Sequence, residues 1–232
     1  MLLQRWVDAS SYTGPIADSA WLALKAQGVV GVWIQCWGGR SPNPYAENQL
    51  WSARKMGLMT GIYGLVNFVD PPGTLSGVAQ AKRTMQAAGQ ELRHILWCAI
   101  DVETVSGIPG WPNNNVGPIP SNIERIKHFE WTLLDGHIPP VIYTGGPSWN
   151  TLTGNVNDWS AAGYGLIHAA FHGADWPTHL PLVSYGGWQQ PCAWQWKNTT
   201  VIEGESFDLN VFDDAWVKAM LWENMRRWAR CS

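Results

Sequence analysis

The sequence predicts an α/β chain folded as a modified, TIM-like β/α barrel, with eight strands and with helices reduced in the second half. Three observations predict it. Eight short apolar runs recur along the chain, and helical patterns of ordinary length separate the earlier ones. Beyond Tyr143 the connecting segments are rich in Gly, Pro, Asn and Trp, which leaves little room for full helices.

The expected strands lie near residues 2–7, 29–35, 59–66, 95–101, 140–143, 164–170, 192–197 and 205–209. Their length and their Val, Ile, Tyr and Trp content fit strands. Helical periodicity runs over Ile16 to Gln27, Ala46 to Met56, Gly77 to Leu92 and Ser121 to Leu134. Ser121 followed three residues on by Glu124 reads as a capping box. Strands alternating with such helices predict βαβ units and a parallel sheet, and eight strands predict closure. The proline-punctuated stretch Ser106 to Pro120 reads as a long loop after the fourth strand, placed to wall a cleft on the catalytic face of a barrel. A last amphipathic helix is expected over Asp213 to Arg230, its acids at the start and its arginines at the end, as the helix dipole favours. Val217, Met220, Leu221 and Trp228 would be its packing face. The whole chain, 1–232, is expected to be one barrel domain without a separate binding module.

Composition narrows the function classes. The chain is 46% hydrophobic and 14% charged, outside the range of disorder, and its net charge of -3 leaves no footprint for nucleic acid. No apolar run approaches a membrane span, and Met1-Leu2-Leu3-Gln4-Arg5 lacks the basic start and apolar core of a signal peptide. Cys36, Cys98, Cys192 and Cys231 show no C-x-x-C spacing, and buried thiols are expected for the first three. His168, His172 and His179 form the nearest histidine cluster, without metal-site spacing, so neither metal nor cofactor is expected.

The chemistry is concentrated in Leu96-Trp97-Cys98-Ala99-Ile100-Asp101-Val102-Glu103, an apolar strand ending in two alternating carboxylates. Residues i and i+2 of a strand share a face, so Asp101 and Glu103 project together with Cα atoms about 6–7 Å apart. Like charges that close oppose each other's ionisation. One is driven toward the protonated form and the other stays anionic, the division that glycosidic bond cleavage needs. Two further acids end short runs, Asp8 after Leu2–Val7 and Asp208 after Glu205–Phe207. Singly, each reads more readily as an ordinary strand-end or turn residue, and it is their recurrence at similar places that shifts the balance toward a site.

Read together and in order, Val7-Asp8-Ala9-Ser10, Gly61-Ile62-Tyr63, Ile100-Asp101-Val102-Glu103, Val141-Ile142-Tyr143-Thr144, Trp194-Gln195-Trp196 and Phe207-Asp208-Leu209-Asn210-Val211-Phe212 resemble glycoside hydrolase family 25, the Chalaropsis-type lysozymes. The resemblance implies a modified β/α barrel and cleavage of the β-1,4 bond between N-acetylmuramic acid and N-acetylglucosamine in bacterial peptidoglycan. It makes Glu103 the general acid. Asp101 becomes the anion that orients the substrate's 2-acetamido group, and Asp8 and Asp208 complete the cleft. It further implies a substrate-assisted retaining mechanism, a monomer without membrane insertion, and an endolysin-like protein. Such a protein would be phage-encoded, made in the host cytoplasm and active on the wall.

Tyr63, Tyr143 and Trp196 are the aromatic candidates for sugar binding, with core packing as the competing reading. Of the tryptophans in loop-like segments, Trp37, Trp111, Trp176 and Trp188 are candidates for stacking, whereas Trp6, Trp33, Trp97 and Trp194 belong to strands and are expected in the core. The chain departs from the family pattern where Gly64 follows Tyr63 and where Gln35-Cys36-Trp37-Gly38-Gly39 ends the second strand. These differences place Gln35 and Trp37 among the expected substrate contacts. They also keep two alternatives open, a non-catalytic glycan-binding barrel of a virion and a related hydrolase acting on another glycan.

Overall fold

In the computed structural model, which describes residues 1–69, 76–105, 115–172 and 175–231 and the side chains of these as far as residue 226, the eight strands close into one barrel in sequence order. They are β1 (Leu3–Ala9), β2 (Val29–Trp37), β3 (Met59–Leu65), β4 (Cys98–Asp101), β5 (Pro140–Thr144), β6 (Leu166–Ala169), β7 (Ala193–Ile202) and β8 (Glu205–Asp213). All eight expected strands are present. The expected loop at 106–120 and Trp111 fall, as far as residue 114, outside the described residues, as do the side chains of Arg227, Trp228 and Arg230.

The helices follow the expected gradient. Helices α1 (Asp18–Ala26), α2 (Ala46–Lys55), α3 (Gly77–Ala87) and α4 (Ile119–Asp135) alternate with the first five strands, and a 3₁₀ turn at Gly89–His94 follows α3. After β5 only α5 (Gly146–Thr153) and the four-residue α6 (Asp158–Ala161) precede the closing helix α7 (Asp214–Cys231). On α7, Val217 is buried and Met220 and Leu221 pack beside it, as its apolar face requires. Among the described residues, no helix is long and apolar enough to cross a membrane.

Two expectations are corrected. The capping box at Ser121 does not form, because α4 begins earlier, at Ile119, with Pro118 as its N-cap and no side-chain cap bond. Proline at the start of a helix gives up only an N–H that would be unsatisfied there in any case. The sheet is also not wholly parallel. Strands β1 to β7 are parallel neighbours, but β8 runs antiparallel to both β7 and β1. The cause is local. Only Glu203 and Gly204 join β7 to β8, with φ of 53° and 85°, and two consecutive positive φ values make the tight hairpin turn that returns a strand on its neighbour.

Strand alternation divides the core into two layers. Outward residues such as Val7, Val32, Ile34, Ile62, Ile100 and Ile142 pack under the helices. Inward residues fill the barrel with aromatic rings: Trp6 lies 4.8 Å from Trp97 and 5.1 Å from Phe212, and Trp33 lies 4.9 Å from Tyr63 and 5.2 Å from Tyr143. A small barrel accepts so many rings only if other inward positions are nearly empty. Gly31 and Gly61 are those positions. A Cβ at Gly31 would lie 2.4 Å from the Trp6 ring, and one at Gly61 would lie 2.9 Å from Trp97 Nε1. Gly31→Ala should therefore destabilise the protein by about 1–3 kcal/mol, the usual range for overpacking a core. Denaturant titration checks this, and a loss below about 0.5 kcal/mol would show that the Trp6 stack can shift to make room.

Candidate active site

The inward stripe of each strand becomes polar at one end of the barrel. On β1 the inward residues run Gln4, Trp6, Asp8, and on β8 they run Phe212, Asn210, Asp208. The antiparallel register sets Asp8 directly opposite Asp208. Like charges in that relation repel, and the structure answers with amides. Gln195 Nε2 donates to Asp8 Oδ2 at 2.8 Å and reaches Asp208 Oδ2 at 3.4 Å, while Asn210 Nδ2 donates to the same Asp8 oxygen at 2.8 Å. The orientation of Gln195 is set from behind by Tyr143, whose hydroxyl donates to Gln195 Oε1 at 2.6 Å.

Asp208 receives one further bond, from the backbone N–H of Thr199 at 2.6 Å. Thr199 has φ of 47°, which is uncommon for a β-branched residue, and it lies where the β7–β8 register shifts. The bulge thereby turns a main-chain donor toward the carboxylate.

Asp101 and Glu103 complete the set from β4 and the residues just beyond it. The intervening Val102 packs in the outer layer, so the two acids share the inner face as the alternation requires. Burial is the first cause of every shift in this cluster. It pushes Asp8 well above the usual carboxylate range, with Asp208 adding to the rise and Asn210 and Gln195 opposing it. Burial likewise raises Asp101, reinforced by Glu103 and Asp8. Asp208 rises by burial against the Thr199 N–H. Glu103 is pushed up to about 7 by burial and the charge of Asp208, with the Tyr143 hydroxyl opposing. Tyr63 and Tyr143 are raised by burial first and then by the charges of all four acids.

Burial and the neighbouring Glu103 and Asp8 favour a proton on Asp101 as well as on Glu103 in the ligand-free protein. Among the described residues, Asp101 Oδ1 is also a buried oxygen without a hydrogen-bond partner. Glu103 is the acid whose proton is poised for exchange at neutral pH.

A cleft of about 350 Å³ opens at the Asp8 and Asp208 side of this cluster, and Asp101 and Glu103 are not among the residues that line it. Asp8, Tyr63 and Asp208 line its depth, Ser10, Tyr12 and Thr13 form one wall, and Thr199 and Ser206 form the other. The first wall is tied in place: Thr13 Oγ1 donates to Ser206 O at 2.9 Å, and Gln35 Oε1 accepts from Ser11 N and Oγ, each at 3.3 Å. Tyr12 stands at the mouth, 88% exposed.

The remaining candidates lie elsewhere. Trp196 is buried in the outer layer, 5.7 Å from Trp176, and presents no ring face to the cleft. Alternation explains this, since its neighbour Gln195 is the inward residue. Trp37 ends β2 and is buried against the chain at Pro42, and Trp188 is buried between Trp149 and Tyr185, donating to Tyr164 O at 2.8 Å. Gln35 serves the β1 loop. Gly64 points away from the cleft altogether, since a Cβ there would meet Thr84 Oγ1 at 2.5 Å and Phe129 at 2.9 Å. Gln195, Asn210 and Tyr12 escaped the sequence reading as site residues, although the i, i+2 relation to Asp208 singles out Asn210. Cys36, Cys98 and Cys192 are free and buried, and His168 Nδ1 is paired with the Tyr185 hydroxyl at 2.8 Å.

Glu103→Gln keeps the shape and removes the exchangeable proton. Hydrolysis should fall below about a tenth of wild type, given the ~10²- to 10⁴-fold worth of general acid catalysis. Stability should move the other way. The Glu103 carboxyl rises from 4.5 to about 7 on folding, so ionisation penalises the folded state as pH climbs through that window. Above it the penalty reaches on the order of 3 kcal/mol, and below it the penalty vanishes. The variant should therefore melt higher than wild type at pH 8 and level with it near pH 4, as followed by circular dichroism. Equal melting at pH 8 would show that Glu103 is not strained by burial.

A model of the family described as "Glycosyl hydrolases family 25" matches residues 7–205. No curated protein matches the chain. Among solved structures, the family GH25 lysozyme from Aspergillus fumigatus superposes with a TM-score of 0.74 at 20% identity, covering 94% of this chain and 99% of that one. The bacterial lysozyme from Streptomyces coelicolor gives 0.73 at 23% identity over 94% and 96% of the two chains. The catalytic domain of endolysin ply40, from bacteriophage P40 of Listeria monocytogenes, gives 0.64 at 16% identity over 94% and 97%. At these identities the likeness is one of fold.

Proposed function

The chain belongs to glycosyl hydrolases family 25, and from that premise we propose that it is a muramidase, cleaving the β-1,4 bond between N-acetylmuramic acid and N-acetylglucosamine of bacterial peptidoglycan with retention of configuration. The observation that carries this reading is the pairing of two unlike acids on one strand end. Glu103 exchanges its proton near 7, and Asp101 Oδ1 is a buried acceptor without a partner.

Each feature matches one need of the reaction. Glu103 donates its proton to the glycosidic oxygen as the bond to the anomeric carbon breaks. The carbonyl oxygen of the substrate's own 2-acetamido group attacks that carbon, so no enzyme nucleophile is required, an exception to the two-carboxylate scheme. Asp101 Oδ1 accepts the acetamido N–H and orients the group for attack. As positive charge develops on the oxazolinium, Asp101 in its carboxylate form stabilises it. Glu103, now ionised, takes a proton from water, and the hydroxide attacks the anomeric carbon from the side the leaving group vacated. Two inversions give net retention.

The cleft suits a pyranose. Its depth is a tyrosine and two carboxyls, its walls carry hydroxyls, and Tyr12 offers a ring face at the mouth on which a neighbouring sugar can stack. The bound glycan also supplies the polar partners that this cluster lacks within the protein.

Two readouts on one digest test the reading. Purified peptidoglycan should release reducing ends, and reduction with borohydride should convert muramic acid, rather than glucosamine, to its alcohol. Early anomeric proton spectra should show the β-product first. Reduced glucosamine would reassign the bond, and an initial α-anomer would mean that water attacks directly, removing the acetamido role of Asp101.

A further inference from the structure

Glu103 stands beyond the end of the sheet that should hold it. Strand β4 ends at Asp101. Val102 is still fixed by its neighbour, since its N–H donates to Tyr143 O at 2.9 Å and its carbonyl accepts from Thr144 Oγ1 at 2.6 Å. At Glu103 the strand partners give way to two side chains from elsewhere. Asn115 Nδ2 donates to Glu103 O at 3.1 Å, and Ser148 Oγ, on α5, accepts from Thr104 N at 3.2 Å and lies 3.2 Å from Thr104 Oγ1.

Asn115 is wholly buried, and both ends of its amide are committed to main chain. Its Nδ2 also donates to Val66 O at 2.9 Å, and its Oδ1 accepts from Phe68 N at 2.8 Å. Val66 follows β3 three residues after Tyr63, so one amide spans the exits of the two strands that carry Tyr63 and Glu103. The backbone is built to allow it. Asn115 has φ of 64°, a conformation that asparagine tolerates better than most residues, and two residues on Gly117 passes so near the Phe68 carbonyl that a Cβ would lie 2.4 Å from its oxygen.

We propose that Asn115 and Ser148 are positioning residues for the general acid, clamping the peptide group that follows Glu103 while Thr144 holds the one before it, so that the Glu103 carboxyl stays within the cluster of Asp8, Asp101 and Asp208. This rests on Glu103 being the acid of the proposed reaction. A bond to the backbone at each flank fixes the direction of the side chain between them, and displacement of a reacting group by about 1 Å can cost ~10²-fold in rate. Neither residue touches the substrate.

The test uses the intact chain with Ser148→Ala, Ser148→Thr and Asn115→Ala. Ser148 is only half-buried, so its alanine variant keeps the fold, and threonine keeps the hydroxyl. Ser148→Ala should lower kcat by about 3- to 10-fold with KM within about twofold, and Ser148→Thr should restore it, within the reach of such misplacements. Asn115→Ala should lower kcat further. In parallel, ¹³C NMR of the labelled Glu103 carboxyl, which needs no substrate, should show its titration midpoint falling in both alanine variants as the group swings toward solvent. If Asn115→Ala fails to fold, the Ser148 pair decides alone. Unchanged kcat and an unchanged midpoint in folded Ser148→Ala would overturn the proposal, and so would a rise in KM alone, which would make Ser148 a glycan contact. A wild type that releases no reducing ends would count against the muramidase reading, while the shift in midpoint would still report on the clamp.

Discussion

Four carboxyls share one buried mouth of a barrel, and the rest of the structure is arranged around the free energy that this costs. Among the described residues no lysine or arginine pairs with any of them. A cation would lower their proton affinities and leave four inert anions. The compensation is made instead with neutral amides, Gln195 and Asn210, and one main-chain N–H from Thr199. Such donors relieve the pair at Asp8 and Asp208 without discharging the field that keeps a proton on Glu103. The site is therefore destabilising by design, as expected where activity depends on shifted acidity.

The barrel beneath supplies the rigidity that this arrangement requires. Trp33, packed at a tilt against both Tyr63 and Tyr143, forms the layer under the acids, and Trp6, Trp97 and Phe212 fill the barrel below it. Large rings need vacant neighbours, which explains glycines at 31 and 61 where a strand would otherwise favour branched residues. The desolvation that raises the carboxyls and the packing that stabilises the fold are thus one feature seen from two sides.

Much of this was legible in the sequence because strands announce themselves by period and the acids lie at their ends. The i, i+2 relation placed Asp101 and Glu103 on one face, and the ordered strand ends identified Asp8, Asp208, Tyr63 and Tyr143. For Trp196 the sequence leaves sugar binding and core packing open, and alternation beside the inward Gln195 places its ring in the outer layer. The antiparallel β8 had a signal in the Glu203-Gly204 pair, which permits a two-residue turn. Other features had none. The burial that favours a proton on Asp101 depends on the whole barrel, and Asn115 and Ser148 reach Glu103 across 12 residues and, through Thr104, across 44. Contacts between loops of unrelated sequence position leave no period to read.

The central claim is that the acid cluster keeps a proton on Glu103 at neutral pH, and the pH dependence of kcat/KM tests it most directly. With solubilised glycan strands as substrate, the alkaline limb of the wild-type profile should fall near 7, the value that burial and the charge of Asp208 impose. It should move to lower pH in Asp208→Asn, which keeps the shape of the side chain and removes its charge. A limb at the ordinary glutamate value in the wild type, or one that Asp208→Asn leaves in place, would contradict the account.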